Sequence, residues 1–150
     1  MKSGVTLVEI LIVIGIISLL ASMVIGLGGG IDNQAREQAL QGTFALLESA
    51  LQEYHEYTGV FPNMIGTTPT VHSAALYGQL QSIPTSRKIV EKLDASQIGD
   101  VDNNGYSEFV DPWGVVLDYR YTAGTDTFPR LISAGRDKKF GTLGDNITNR

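Results

Sequence analysis

The sequence predicts an α+β chain in which a long N-terminal helix, membrane-spanning over its first half, packs its second half on a small C-terminal antiparallel β-sheet. Three observations predict it. Residues 5–27, VTLVEILIVIGIISLLASMVIGL, form an apolar run of about the twenty residues that cross a hydrocarbon core ~30 Å thick. Over residues 31–57, apolar side chains recur at three- and four-residue steps, the period of one helix face. Residues 115–122 and 128–134 alternate apolar and polar side chains on either side of a short turn at residues 123–127, the pattern of an antiparallel hairpin.

Composition narrows the function. The residues beyond the apolar run suffice for one small domain with a single modest core. The net charge is −5, spread without a basic stripe, which makes nucleic acid a poor candidate for a partner. With no cysteine in the chain, disulfides, thiolate metal sites and cysteine nucleophiles are excluded together. There is no Ser-His-Asp order, nucleophile elbow or phosphate loop. His55 and His72 are far apart on different elements, where solvated positions are expected, and Arg87 and Lys88 read as a solvated face. The expectation is a protein that is not an enzyme.

Only Met-Lys-Ser-Gly precedes the apolar run, with no long apolar leader and no A-x-A site, which argues against an ordinary secretory signal. Lys2 is the only charge before the run and by the positive-inside rule holds the N-terminus in the cytoplasm, so the rest of the chain is exported, which in a two-membrane bacterium means to the periplasm. Glu9 is the anomaly. An acidic side chain within a span costs roughly 2.5–3.5 kcal/mol on insertion scales, so it requires a partner. Cleavage after Gly4 creates an α-amino group on Val5, four residues before Glu9 and on the same helix face. The chain then divides into a leader (residues 1–4), a transmembrane and assembly helix (5–27), and a head (28–150) that includes the amphipathic second half of the helix.

The set Lys2, Gly4, Val5, Thr6, Leu7 and Glu9 resembles the class III leader of type IV pilins and type II secretion pseudopilins. That resemblance implies a prepilin peptidase that cuts between Gly4 and Val5 and methylates the new terminus. It also implies that Glu9 pairs with the N-terminus of a neighbouring subunit during assembly. Val5 stands where the family usually carries Phe.

Beyond the run, glycines among residues 26–30 weaken a helix, and a bend or meltable joint is expected there. The helix of residues 31–57 follows, with Asp32 as a candidate cap. Ala35, Ala39, Leu40, Phe44, Leu47, Leu51 and Tyr54 mark its apolar face. Gly59 stops it and Pro62 prevents continuation. A second helix is expected over residues 73–82, capped by Ser73, with Ala74, Leu76, Tyr77 and Leu80 inward and Pro84 as its end. Residues 87–93 read as a short helical or irregular piece, and Trp113 as a core or hairpin-packing residue.

The sharpest chemical signal is DVDNNGYSEFVD, residues 100–111. Asp100, Asp102, Asn104, Tyr106, Glu108 and Asp111 fall at positions one, three, five, seven, nine and twelve, with Gly105 at six, the ligand spacing of an EF-hand calcium loop. Four carboxylates in one tight loop repel unless neutralised; an Asx-rich turn without an ion is the simpler alternative.

DPWG at residues 111–114, the segment LISAGRDKKFGTLGDNI at residues 131–147 and ALQEYHEYTGVFPN at residues 50–63 resemble the major pseudopilins of type II secretion; residues 66–93 are unmatched. The resemblance implies a pilin-like fold and calcium held by Asp137 and Asp145, with Asn146 beside them. It implies a homopolymeric periplasmic pseudopilus driving protein export, with minor pseudopilins and the inner-membrane secretion platform as partners. The two acidic loops could also form one composite site. A surface type IV pilin and a membrane-tethered calcium-binding domain are the alternative functions.

Overall fold

A computed structural model describes residues 7–142 and 144–150, and for residues 22–31 the backbone alone. The expected leader and cleavage point, Gly4 and Val5, lie outside the described residues. Helix α1 is Leu7–Thr58, α2 is Pro69–Ser82 and α3 is Pro84–Val90. A 3-10 turn, Ala95–Gln97, leads into β1 (Ile98–Gly99), which pairs antiparallel with β2 (Glu108–Phe109). A second antiparallel sheet has the order β3 (Asp118–Arg120), β4 (Arg130–Ser133), β5 (Ile147–Thr148). The chain is thus α+β, in two compact units, Met1–Ala35 and Arg36–Arg150.

In the first unit, every residue from 7 to 21 is exposed, Leu7 at 77 % and Leu20 at 55 %. Glu9 sits in the first turn of α1. The Ser18 hydroxyl donates to the Ile14 carbonyl (2.8 Å), so this polar group is met within its own helix. Among the described residues no helix is long and apolar enough to cross a membrane; the expected span, residues 5–27, begins before them, and for residues 22–27 the backbone alone is described. The backbone at residues 26–30 is helical and belongs to α1, so the expected joint is not a break and Asp32 lies inside a helix rather than capping one. Glycine costs about 0.8–1 kcal/mol in a helix interior relative to alanine, but it keeps its N–H. The hydrogen-bond ladder therefore loses no donor, as it would at proline.

The second unit is built on one face of α1. Leu40, Phe44, Leu47, Ala50 and Leu51 are buried there, whereas Ala35 and Ala39 are exposed, so the packed face begins later than the apolar periodicity suggests. Against it lie Leu76 and Leu80 of α2, Val90 of α3, Phe109 of β2, Tyr119 of β3 and Leu131 of β4, with Phe61, Leu93, Trp113 and Leu117 completing the core. Gly59, at φ +78°, closes α1 by donating its N–H to the His55 carbonyl (2.8 Å), the left-handed stop that glycine permits.

Two expected boundaries move, for one reason. Pro69 is the first residue of α2 behind an extended Thr68, and Pro84 is the first of α3 behind an extended Ile83. Proline suits the first helical position, where its missing N–H would have no partner. It therefore starts both helices, and Pro84 does not merely end α2. Ser73 is no cap. It is buried, and its hydroxyl accepts the Phe109 N–H at 2.9 Å, fixing α2 to β2. The phenol of Tyr119 donates to the Pro62 carbonyl at 2.7 Å, and burial raises its pKa well above the ordinary tyrosine value.

The expected hairpin exists as β3 and β4, shorter than the alternating pattern, with Tyr119 opposite Leu131. β5 joins β4 through Ser133 opposite Ile147, and β1 with β2 turns the acidic segment itself into a hairpin.

Ser73→Ala removes the side-chain acceptor of the buried Phe109 amide in β2; the expected cost is about 1–3 kcal/mol. Thermal denaturation of the full chain should show it clearly. Ser49→Ala, which deletes an exposed hydroxyl bonded within its own helix, should fall within about 0.5 kcal/mol of the parent.

Candidate metal centre

The β1–β2 connection folds around its own carboxylates. Asp100 Oδ1 accepts the Asn104 N–H and its Oδ2 the Gly105 N–H, each at 2.9 Å. Asn103 at φ +57° and Gly105 at φ +88° take the left-handed conformation that asparagine and glycine tolerate, which turns the chain back. Asn104 Oδ1 accepts the Tyr106 N–H at 2.8 Å, and its Nδ2 donates to Asp102 Oδ2 at 2.9 Å. The Tyr106 side chain is exposed.

Glu108 opens β2 and reaches back across the hairpin, where its Oε2 accepts the Val101 N–H at 2.8 Å. The residue is fully buried, and its Oε1 is buried without a hydrogen-bond partner among the described residues. One carboxylate oxygen each from Asp100, Asp102 and Glu108 lies within 4.8 Å of the others. Burial raises the Glu108 pKa; the Val101 N–H opposes the rise, and the charges of Asp102 and Asp100 add to it.

Asp111 is outside this group. Its Oδ1 accepts the N–H groups of Trp113 (2.9 Å) and Val115 (2.8 Å), and its Oδ2 accepts the Ser133 hydroxyl at 2.6 Å. It is a buried cap for the turn before β3 and a tie to β4. In an EF-hand the loop ends in a helix that keeps its ninth and twelfth positions together. Here the ninth position opens a strand, and three extended residues carry the chain on by about 10 Å.

In the C-terminal loop, Asp137 donates its backbone N–H to Asp145 Oδ2 (2.9 Å), and its own Oδ1 accepts the Lys139 N–H (2.8 Å). Hydrogen bonds from the Thr142 hydroxyl, first, and then from the Lys139 N–H hold the Asp137 carboxyl below its ordinary pKa. Asn146 Nδ2 donates to the Phe140 carbonyl at 3.0 Å. Asp145 Oδ1 and Asn146 Oδ1 are buried without partners among the described residues, so the oxygen donors expected of this loop are present and two have spare capacity. Among the described residues, the acidic group of the β1–β2 loop includes neither Asp137 nor Asp145.

One buried polar pair was not legible as such. His72, expected in solvent, is buried, with Nδ1 2.6 Å from Asp118 Oδ1; Asp118 Oδ2 accepts the Arg120 Nε–H at 2.7 Å. No signal in the sequence marks it, because Asp118 falls between the core residues Leu117 and Tyr119, on the polar phase of the alternating strand. The pair joins α2 to β3. His55 instead packs on Phe61, ring centroids 4.4 Å apart.

The chain matches no protein-family model, no curated protein and no solved structure. All the strong donors of the candidate site are oxygens, which suit hard divalent cations rather than zinc or copper.

The C-terminal loop also closes tightly on itself. A Cβ on Gly135, at φ +71°, would stand 2.1 Å from the Asp145 carbonyl oxygen. Gly135→Ala should destabilise the chain by about 1–3 kcal/mol. Gly124→Ala, with φ +81° but open space around it, should lower the melting temperature less.

Proposed function

We propose that this chain is the structural, non-enzymatic subunit of a periplasmic filament of the type II secretion pseudopilus kind, assembled from a membrane-anchored precursor. One observation carries the reading. Residues 7–21 of α1 are exposed on every side and, apart from Glu9, Gly15 and Ser18, are wholly apolar. Contiguous apolar surface of this extent is not left to water. Lipid covers it before assembly, with residues 5–27 as the single-pass span in the inner membrane and the N-terminus cytoplasmic; helices of other copies cover it afterwards.

Glu9 gives the bundle its register. Cleavage after Gly4 by a prepilin peptidase leaves an ammonium on Val5, and in the filament Glu9 of one subunit meets Val5 of the next. Joining two different positions of identical chains, this contact is heterologous and non-closing, so it propagates into a helical fibre. The unit Arg36–Arg150 coats the outside as the periplasmic head. Minor pseudopilins and the inner-membrane secretion platform are the partners this role requires.

The test is Glu9→Gln in the full chain, with assembly components present. The variant should insert, and mass analysis should find its N-terminus at Val5, but filament counts by electron microscopy should fall at least tenfold. Normal filament yield would overturn the pairing. An N-terminus still at Met1 in the parent protein would overturn the processing step.

A further inference from the structure

We propose that the β1–β2 loop binds one calcium ion through Asp100, Asp102 and Glu108, with the buried Glu108 carboxylate as the anchor. This goes beyond filament assembly, which the apolar part of α1 accounts for without an ion. The site is separate from the C-terminal loop of Asp137 and Asp145.

Two observations of different kinds meet here. The first is the grouping: oxygens of three carboxylates within 4.8 Å of one another, none of them in a salt bridge among the described residues. Oxygens sharing one calcium at 2.3–2.6 Å stand at most about 5 Å apart, so the three fit one coordination shell. The second is Glu108 itself. A fully buried carboxylate keeps one oxygen, Oε1, with no hydrogen-bond donor, although buried acceptors are nearly always satisfied. Its other oxygen is used by the Val101 N–H. A hydrogen-bonding requirement alone would place a donor beside Oε1; a cation at the carboxylate supplies the missing positive charge instead.

The donor set selects the ion. Zinc sites are built mainly from nitrogen and sulfur in a closed tetrahedron, and none of these three side chains offers either. Magnesium needs a near-ideal octahedron at 2.0–2.1 Å, whereas calcium accepts six to eight oxygens in irregular arrangements. Three carboxylates on a turn supply such a shell, and the exposure of Asp100 and Asp102 admits water to the remaining positions. Binding fastens both ends of the hairpin, because Asp100 directly follows β1 and Glu108 opens β2. From there it reaches the core, since Phe109 is fully buried and its N–H is held by Ser73 of α2.

The test uses the full chain in detergent micelles, stripped with chelator and titrated calorimetrically with calcium and, separately, magnesium. Calcium should bind and raise the melting temperature by several degrees at saturation, as a ligand of the native state alone must. Asp102→Asn, an exposed change that spares the fold, should weaken this binding at least tenfold. Glu108→Gln should weaken it further while the ion-free protein stays folded; should that variant not fold, Asp102→Asn decides. Asp145→Asn should leave the event intact. No calcium binding, or binding that survives Asp102→Asn and is lost in Asp145→Asn, would overturn the site. Magnesium binding as tight as calcium would overturn the choice of ion.

Discussion

The residues from Arg36 onward depend on one constraint, the need to cover the apolar face of α1. Leu40, Phe44, Leu47 and Leu51 are almost wholly removed from water, each transfer favourable by about 1.5–3 kcal/mol. A single helix cannot do this alone. α2, α3, β2, β3 and β4 each contribute one or two apolar side chains to the same face, and the strands are so short that packing, rather than long hydrogen-bond ladders, holds them in place. Polar groups then fix their positions. Ser73 holds β2, Asp118 receives His72, and Asp111 gathers the turn at Trp113 together with Ser133 of β4.

Long-period features were legible in the sequence. The helical period from Leu40 to Leu51, the stop at Gly59 and the hairpin of β3 and β4 follow from spacing and from glycine, properties that neighbours in the chain largely decide. Two-residue strands were not legible. Ile98 and Gly99 have no alternation to show, and their pairing with β2 is fixed by the turn of Asn103 and Gly105 and by Phe109 entering the core. Pro84 starts α3 rather than only ending α2, because proline's role depends on which side of it the helix lies, something composition does not reveal.

The candidate site was legible as far as the turn. Asp100, Asp102 and Asn104 bind backbone and one another locally, so their spacing carried the information. The spacing that places Asp111 at the twelfth position presumes a following helix, and the strand at Glu108 sends Asp111 elsewhere. Conversely, nothing in the spacing marks Glu108 as the buried member of the set. That follows from Phe109 beside it, whose place in the core draws β2 inward.

The brevity of the strands has a consequence for crowding. β1, β2 and β5 are two residues each, and β3, at the other edge of its sheet, is three. An edge of that length exposes too few unpaired amides and carbonyls to recruit a foreign strand. Copies of this chain held side by side can therefore meet through their side chains without zipping into a shared, irreversible sheet.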